Sequence, residues 1–157
     1  MKLYHGTNMD FCEILLERCK PNKDFGRGFY LTDIRRQAQE MAIRKCEFEE
    51  FGSPVVQVYE FNPKVLEDSN FRVKVFERVS TEWAEFILLN RKSHGRQVHD
   101  YDIVIGPVAD DGVVYQLNLY MQRFITLEQL VKELTFKRLN RQYFFGTEKA
   151  ISKLRRL

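Results

Sequence analysis

The sequence predicts a single α+β domain spanning residues 1–157, and three observations lead there. Short runs of strand character are interleaved with stretches of helical periodicity, without the regular strand–helix–strand repeat that a parallel sheet requires. A chain of 157 residues fits one domain, long enough to bury roughly two-thirds of its unfolded surface. Apolar residues make up 44% and aromatic ones 13%, too rich for a disordered segment, and no linker, internal repeat or low-complexity tract interrupts them.

Residues 2–6 read as a strand. Asp10 reads as the N-cap of a helix through Phe11, Ile14, Leu15 and Arg18, whose apolar members keep the three-four spacing. Pro21-Asn22-Lys23-Asp24 is a loop, and Gly26 and Gly28 bracket the entry into a strand at 29–32. Asp33 is the expected N-cap of a helix running to Phe48, with Ala38, Met41, Ala42 and Cys46 facing inward. The β-branched run 55–61 is a strand that Asn62-Pro63 stops, since proline cannot continue a ladder. Positions 71–76 alternate like a half-exposed strand. Positions 81–92 form an amphipathic helix in which Trp83, the lone tryptophan, anchors the core beside Phe86, Ile87 and Asn90. A central strand at 101–105 ends at Gly106-Pro107. Helices follow at 112–123 and, behind the capping box Thr126-Leu127-Glu128-Gln129, through Leu134. The last strand is 142–146, and Thr147 caps a closing helix through Ala150, Ile151 and Leu154.

The net charge is only +3, from 25 basic and 22 acidic side chains, so composition gives no warrant for a general nucleic-acid binder. The basic clusters Arg35-Arg36, Arg44-Lys45, Lys137-Arg138, Arg141 and Lys153-Leu154-Arg155-Arg156 read as solvated faces. Three cysteines, Cys12, Cys19 and Cys46, form no CxxC pair and suit neither a disulfide framework nor a zinc site; Cys12 and Cys19, seven apart, would share a helix face. No His/Cys/Asp cluster has metal-ligand spacing, and no metal is expected. The chain carries no leader pattern after Met1 and no apolar run approaching about 18 residues, so the expected location is the cytoplasm, with no membrane partner.

Function is concentrated in two glycine-flanked segments. Tyr4-His5-Gly6-Thr7-Asn8 closes the first strand and Gly26-Arg27-Gly28-Phe29-Tyr30-Leu31-Thr32 opens the second, which suggests two strands meeting at a ligand cleft. Together with the late Gln142-Tyr143-Phe144-Phe145, these segments resemble the ADP-ribosyltransferase superfamily, in the diphtheria-toxin and poly(ADP-ribose)-polymerase branch that uses a His, a Tyr and a Glu from three strands. Within that branch the chain resembles a bacterial family named DUF3990, which the run from Tyr101 to Asp111, YDIVIGPVADD, also fits.

The resemblance implies an ADP-ribosyltransferase-like fold, two small and roughly perpendicular antiparallel sheets whose cleft holds NAD+ as co-substrate. It further implies that His5 bonds the hydroxyl of the adenosine-side ribose and that the Gly6 backbone holds the nicotinamide carboxamide. Tyr30 stacks on the nicotinamide ring, with Gly28 beside it, and Thr7 orients His5 or a ribose hydroxyl. A second aromatic, which would complete the sandwich, is replaced by Met41, a weaker stacking partner. The strand-start Glu that grips the nicotinamide-side ribose is replaced by Gln142, so the expected catalytic set is His5, Tyr30 and Gln142. An amide oxygen still accepts a hydroxyl bond but brings no negative charge to an oxocarbenium-like sugar. A carboxylate borrowed from Asp110, Asp111 or Glu148 would compensate.

The resemblance thus points to a mono-ADP-ribosyltransferase acting on a macromolecular acceptor, protein or nucleic acid, in the manner of an intracellular toxin held by an antitoxin protein. Poly-chain elongation depends in that family on the missing Glu. An NAD+ glycohydrolase differs only in using water as acceptor. A tRNA 2'-phosphotransferase shares the fold, but its second histidine would stand at Tyr30. An inactive module that binds NAD+ or a partner is the reading from a different class.

Overall fold

The computed structural model describes residues 1–135 and 139–157, and the Lys137-Arg138 cluster lies outside them. Seven strands form one mixed open sheet in the order β4-β5-β6-β2-β1-β3-β7. They are β1 (Lys2–Thr7), β2 (Phe29–Thr32), β3 (Val55–Phe61), β4 (Val73–Val75), β5 (Ile103–Pro107), β6 (Arg141–Phe145) and β7 (Leu154–Arg156). The helices are α1 (Arg35–Glu49), α2 (Thr81–Arg91), α3 (Asp111–Met121), α4 (Leu127–Thr135) and the single turn α5 (Glu148–Ile151). The α+β class is as expected. All pairings are antiparallel except β4 with β5.

Alternation along the strands sorts the core into two layers, because successive side chains leave a strand on opposite faces. Val104 and Phe144 join Trp83 and Ile87 of α2, Val113 and Leu117 of α3, and Leu130 and Leu134 of α4 on the helical face. Ile103, Ile105, Tyr143 and Phe145 join Leu3, Phe29, Leu31, Tyr59 and Phe61 on the other face, closed by Ala150 of α5. Trp83 is fully buried and donates its indole N–H to the Pro107 carbonyl (3.3 Å), so it is the anchor its position suggested. The capping box before α4 also forms: the Thr126 N–H donates to Gln129 Oε1 (2.8 Å) and the Gln129 N–H to Thr126 Oγ1 (3.2 Å). No helix among the described residues is long and apolar enough to cross a membrane.

Several expectations are corrected by tertiary contacts. Residues 10–18 hold no α-helix, only a 3-10 turn at Leu16–Arg18. Asp10 is not a cap: its carboxylate accepts from the Gln57 side chain (2.8 Å) and from Arg156, and the Phe11 carbonyl accepts from Gln57 as well (2.8 Å). Cys12 is exposed and Cys19 half-buried, and they share no helix face. Asp33 does not cap α1; the Ile34 N–H donates to Thr32 Oγ1 (3.1 Å) while Asp33 accepts from the Tyr143 hydroxyl (3.3 Å). Met41 does not face inward but is 51% exposed, whereas Ala38 and Ala42 are buried as expected. The strand at 101–105 is shifted to Ile103–Pro107 and lies second from the sheet edge, not at its centre. The closing helix stops after Ile151, and Leu154 enters an unforeseen strand, β7, whose Leu154 pairs with Phe61.

Instead of two separate sheets there is one, but it is nearly divided. Among the described residues the only register pair between β1 and β2 is Tyr4↔Thr32, whereas β1 pairs with β3 along its whole length and β2 with β6 along all four of its residues. Helix α1 lies against β1 so closely that a Cβ on Gly6 would overlap the Ala38 carbonyl and crowd the Ala42 amide. Gly6→Ala is therefore expected to push α1 off the sheet and to cost on the order of 2 kcal/mol or more in chemical denaturation.

Candidate active site

The strands that carry His5, Tyr30 and Gln142 are neighbours, in the order β6-β2-β1, and the last two share one register pair among the described residues. Continuing the Tyr4↔Thr32 register would set His5 opposite Leu31 and Gly6 opposite Tyr30. The His5 side chain bonds across to β2, with Nδ1 2.8 Å from the Tyr30 carbonyl. A carbonyl only accepts, so Nδ1 carries the proton and Nε2 is left with a free lone pair. Burial pushes the imidazole down to about 4, only partly opposed by the bond to Tyr30, and the charges of Lys45 and Lys23 add to the depression. The ring is neutral at pH 7 and presents an acceptor.

His5 and Tyr30 do not share a face. His5 lies opposite Gln57 in the register and rests on Phe29 (ring centroids 4.5 Å) and Phe11 (5.8 Å), on the layer away from α2. Tyr30 projects into the helical layer, its ring edge-on to Phe144 (5.3 Å) and stacked with Phe25 (6.4 Å). Its hydroxyl donates to the Gly26 carbonyl (2.7 Å) and accepts from the Phe25 N–H (3.0 Å), so the tyrosine grips the turn that leads into its own strand. Burial first, and the nearby Asp24 charge, hold its phenol well above the ordinary range. Gly28 is required by packing, since a Cβ would strike the Phe144 ring.

Gln142 shares the helical face with Tyr30, because Tyr30 pairs with Phe144 and Thr32 with Gln142. Its Nε2 donates to Asp24 Oδ2 (3.0 Å) and to the Pro107 carbonyl (3.2 Å). Both amide hydrogens are spent, which leaves Oε1 as the group it can offer a ligand. Asp24 in turn accepts from Arg91 of α2 at Nε (2.9 Å) and Nη2 (2.6 Å), both to Oδ1. The carboxylate in contact with Gln142 is thus Asp24, not Asp110, Asp111 or Glu148. Asp110 accepts from the Val113 N–H (2.9 Å) as the N-cap of α3, and Asp111 and Glu148 lie in the first turns of α3 and α5. Asp24 was legible only as a turn residue, since nothing local links it to a strand that begins more than a hundred positions later.

Of the remaining expected ligand contacts, Thr7 is fully buried and its Oγ1 has no hydrogen-bond partner among the described residues. An unpaired buried hydroxyl costs about 1–3 kcal/mol, which makes this position unusual. Gly6 is covered by α1 on its open side. Met41 lies on the exposed side of the same helix. Two cavities, about 250 and 460 Å3, lie elsewhere, the first lined by Phe25, Gly26, His99 and Phe144 and the second by residues of α3, α4 and their connection; His5, Tyr30 and Gln142 line neither. Among the described residues no group of three or more His, Cys, Asp or Glu is placed to hold a metal ion.

Two outcomes follow from this geometry. Tyr30→Phe, which removes only the hydroxyl between Phe25 and Gly26, is expected to cost about 1–2 kcal/mol in urea unfolding. For His5 the folded chain takes up its proton near pH 4 and the unfolded chain near 6.5. The associated stability is therefore complete above about pH 6.5 and is lost as pH falls toward 4, by an amount on the order of 3 kcal/mol. His99, also depressed by burial, contributes with the same sign, so the wild type minus His5→Gln difference in melting temperature across that window isolates His5.

Comparison with curated proteins and with solved structures finds no match. The family model described as "Protein of unknown function (DUF3990)" matches residues 1–156, and the chain belongs to that family.

Proposed function

We propose that the chain is a mono-ADP-ribosyltransferase that moves ADP-ribose from NAD+ to a macromolecular acceptor. The observation that carries this reading is the adjacency of β6, β2 and β1, with each strand holding one member of the His5, Tyr30 and Gln142 set. The near-division of the sheet into β4-β5-β6-β2 and β1-β3-β7 supports the two-sheet architecture of that superfamily.

The chemistry asks little of acids or bases. Nicotinamide departs neutral when its bond to the ribose breaks, and the sugar passes through an oxocarbenium-like state that an acceptor nucleophile captures, losing its proton to solvent. The protein has to hold the dinucleotide bent, grip its hydroxyls and stabilise positive charge on the sugar. Two acceptors suit the ribose hydroxyls: Nε2 of neutral His5 and Oε1 of Gln142. Lys23 and Lys45, whose charges are felt at His5, provide positive potential for the pyrophosphate. Because His5 and Tyr30 leave the sheet on opposite faces, a ligand that touches both has to separate β1 from β2 beyond their one register pair.

A second reading, an NAD+-binding module without turnover, draws on the replacement of the Glu by Gln142 and on the exposure of Met41 where a stacking aromatic would stand. Purified protein is expected to bind NAD+ in calorimetry and to release nicotinamide, faster when cell extract supplies an acceptor, and His5→Ala is expected to weaken binding about tenfold, as loss of one hydrogen bond implies. Release that extract does not accelerate would identify a glycohydrolase. Binding without release, alone or with extract, would leave only the binding module, and absence of binding would sink both.

A further inference from the structure

We infer that Asp24 is a positioning residue for the Gln142 site: its carboxylate fixes the orientation of the Gln142 amide and supplies, through it, the negative charge that a glutamate at position 142 would supply directly. This rests on the ADP-ribosyl-transfer reading above.

Three elements converge on Asp24. Arg91 of α2 binds Oδ1, Gln142 of β6 binds Oδ2, and the following two residues, Phe25 and Gly26, are gripped by the Tyr30 hydroxyl of β2. The Asp24 side chain is only 13% exposed and that of Arg91 23%, so the pair is held out of bulk water, where a charge acts over a longer reach. A carboxylate and a backbone carbonyl can only accept, so the two partners of Gln142, Asp24 and Pro107, both demand its NH2 group. The amide therefore has one orientation, with Oε1 turned away from them.

Removing the carboxylate removes that constraint. With an amide at position 24, the Gln142 side chain can turn over and present donors where an acceptor is needed. The polarising charge is lost at the same time. Arg91 offsets part of the Asp24 field, so the arrangement acts more weakly on an oxocarbenium than a glutamate in direct contact. The loop 20–26 thereby contributes to the reaction from a position that no strand motif marks.

The test uses the full chain and three variants, Asp24→Asn, Gln142→Glu and the double exchange, with NAD+ affinity by calorimetry, the rate of nicotinamide release across pH 5–9, and melting temperature to confirm folding. Asp24→Asn is expected to lower kcat tenfold or more while KM for NAD+ changes less than threefold. Gln142→Glu sets two carboxylates against each other, and its rate is expected to rise as pH falls toward 5, when one of them takes up a proton. The double exchange restores a single donor–acceptor pair with the charge at position 142, so release is expected to return to at least the wild-type rate with that pH dependence abolished. An unchanged kcat in Asp24→Asn, or a double exchange whose loss is the product of the two single losses, would overturn the inference while leaving the enzyme reading intact. Should Asp24→Asn fail to fold, the pH profile of Gln142→Glu and the double exchange decide. A wild type that does not release nicotinamide overturns the transfer reading and this inference with it, and calorimetry then shows whether NAD+ binding survives.

Discussion

The bond from His5 Nδ1 to the Tyr30 carbonyl is where this sheet changes character. On one side of it β1 pairs with β3 along its whole length, and on the other β2 pairs with β6 along all of its own. Between them the described residues give one register pair, Tyr4↔Thr32, and the imidazole bond beside it. That bond satisfies the Tyr30 carbonyl, and it selects the tautomer whose other nitrogen is an acceptor. Burial keeps the ring neutral, so the junction is sensitive to acid and indifferent to pH changes near neutrality.

The elements around the junction are held by contacts that cross long stretches of sequence. Close approach of α1 to Gly6 closes one side. The connection between β1 and β2 closes the other, tied to α2 by Asp24 with Arg91, to Ser93 and Gly95 by the Asn22 side chain (3.1 and 2.8 Å), and to its own following strand by Tyr30. The His99 imidazole adds a further tie: Nδ1 accepts from the Tyr101 N–H (3.1 Å), so Nε2 carries the proton and donates to the Phe25 carbonyl (2.7 Å). The Pro107 carbonyl receives both the Trp83 indole and the Gln142 amide, so the main core anchor and the candidate site share one acceptor. Disturbing the core near α2 would be felt at Gln142.

Tyr30 ties the aromatic layer to the turn that precedes its own strand. Its ring belongs to the aromatic layer with Phe25 and Phe144, and its hydroxyl closes the turn that brings Asp24 to Gln142. The same packing means that a loss of ligand binding on truncating Tyr30 has to be separated from a loss of folding.

Local pattern was enough for most of the elements: the β-branched run of β3, the glycine-bracketed entry to β2, the capping box before α4 and the amphipathic face around Trp83 each follow from residues within a few positions of one another, where propensity and capping act. The candidate residues His5, Tyr30 and Gln142 were likewise visible as residue types in recognisable settings. Where pattern failed, a distant partner had outbid a local one. Asp10 prefers Gln57 and Arg156 to a helix N-terminus, Asp33 prefers Tyr143, and Leu154 continues into a strand because Phe61 is there to pair with it. Which face each candidate residue occupies, the single pair joining β1 to β2, and the Asp24 carboxylate beside Gln142 depend on register and on contacts between segments far apart in the chain, and neither composition nor periodicity encodes those distances.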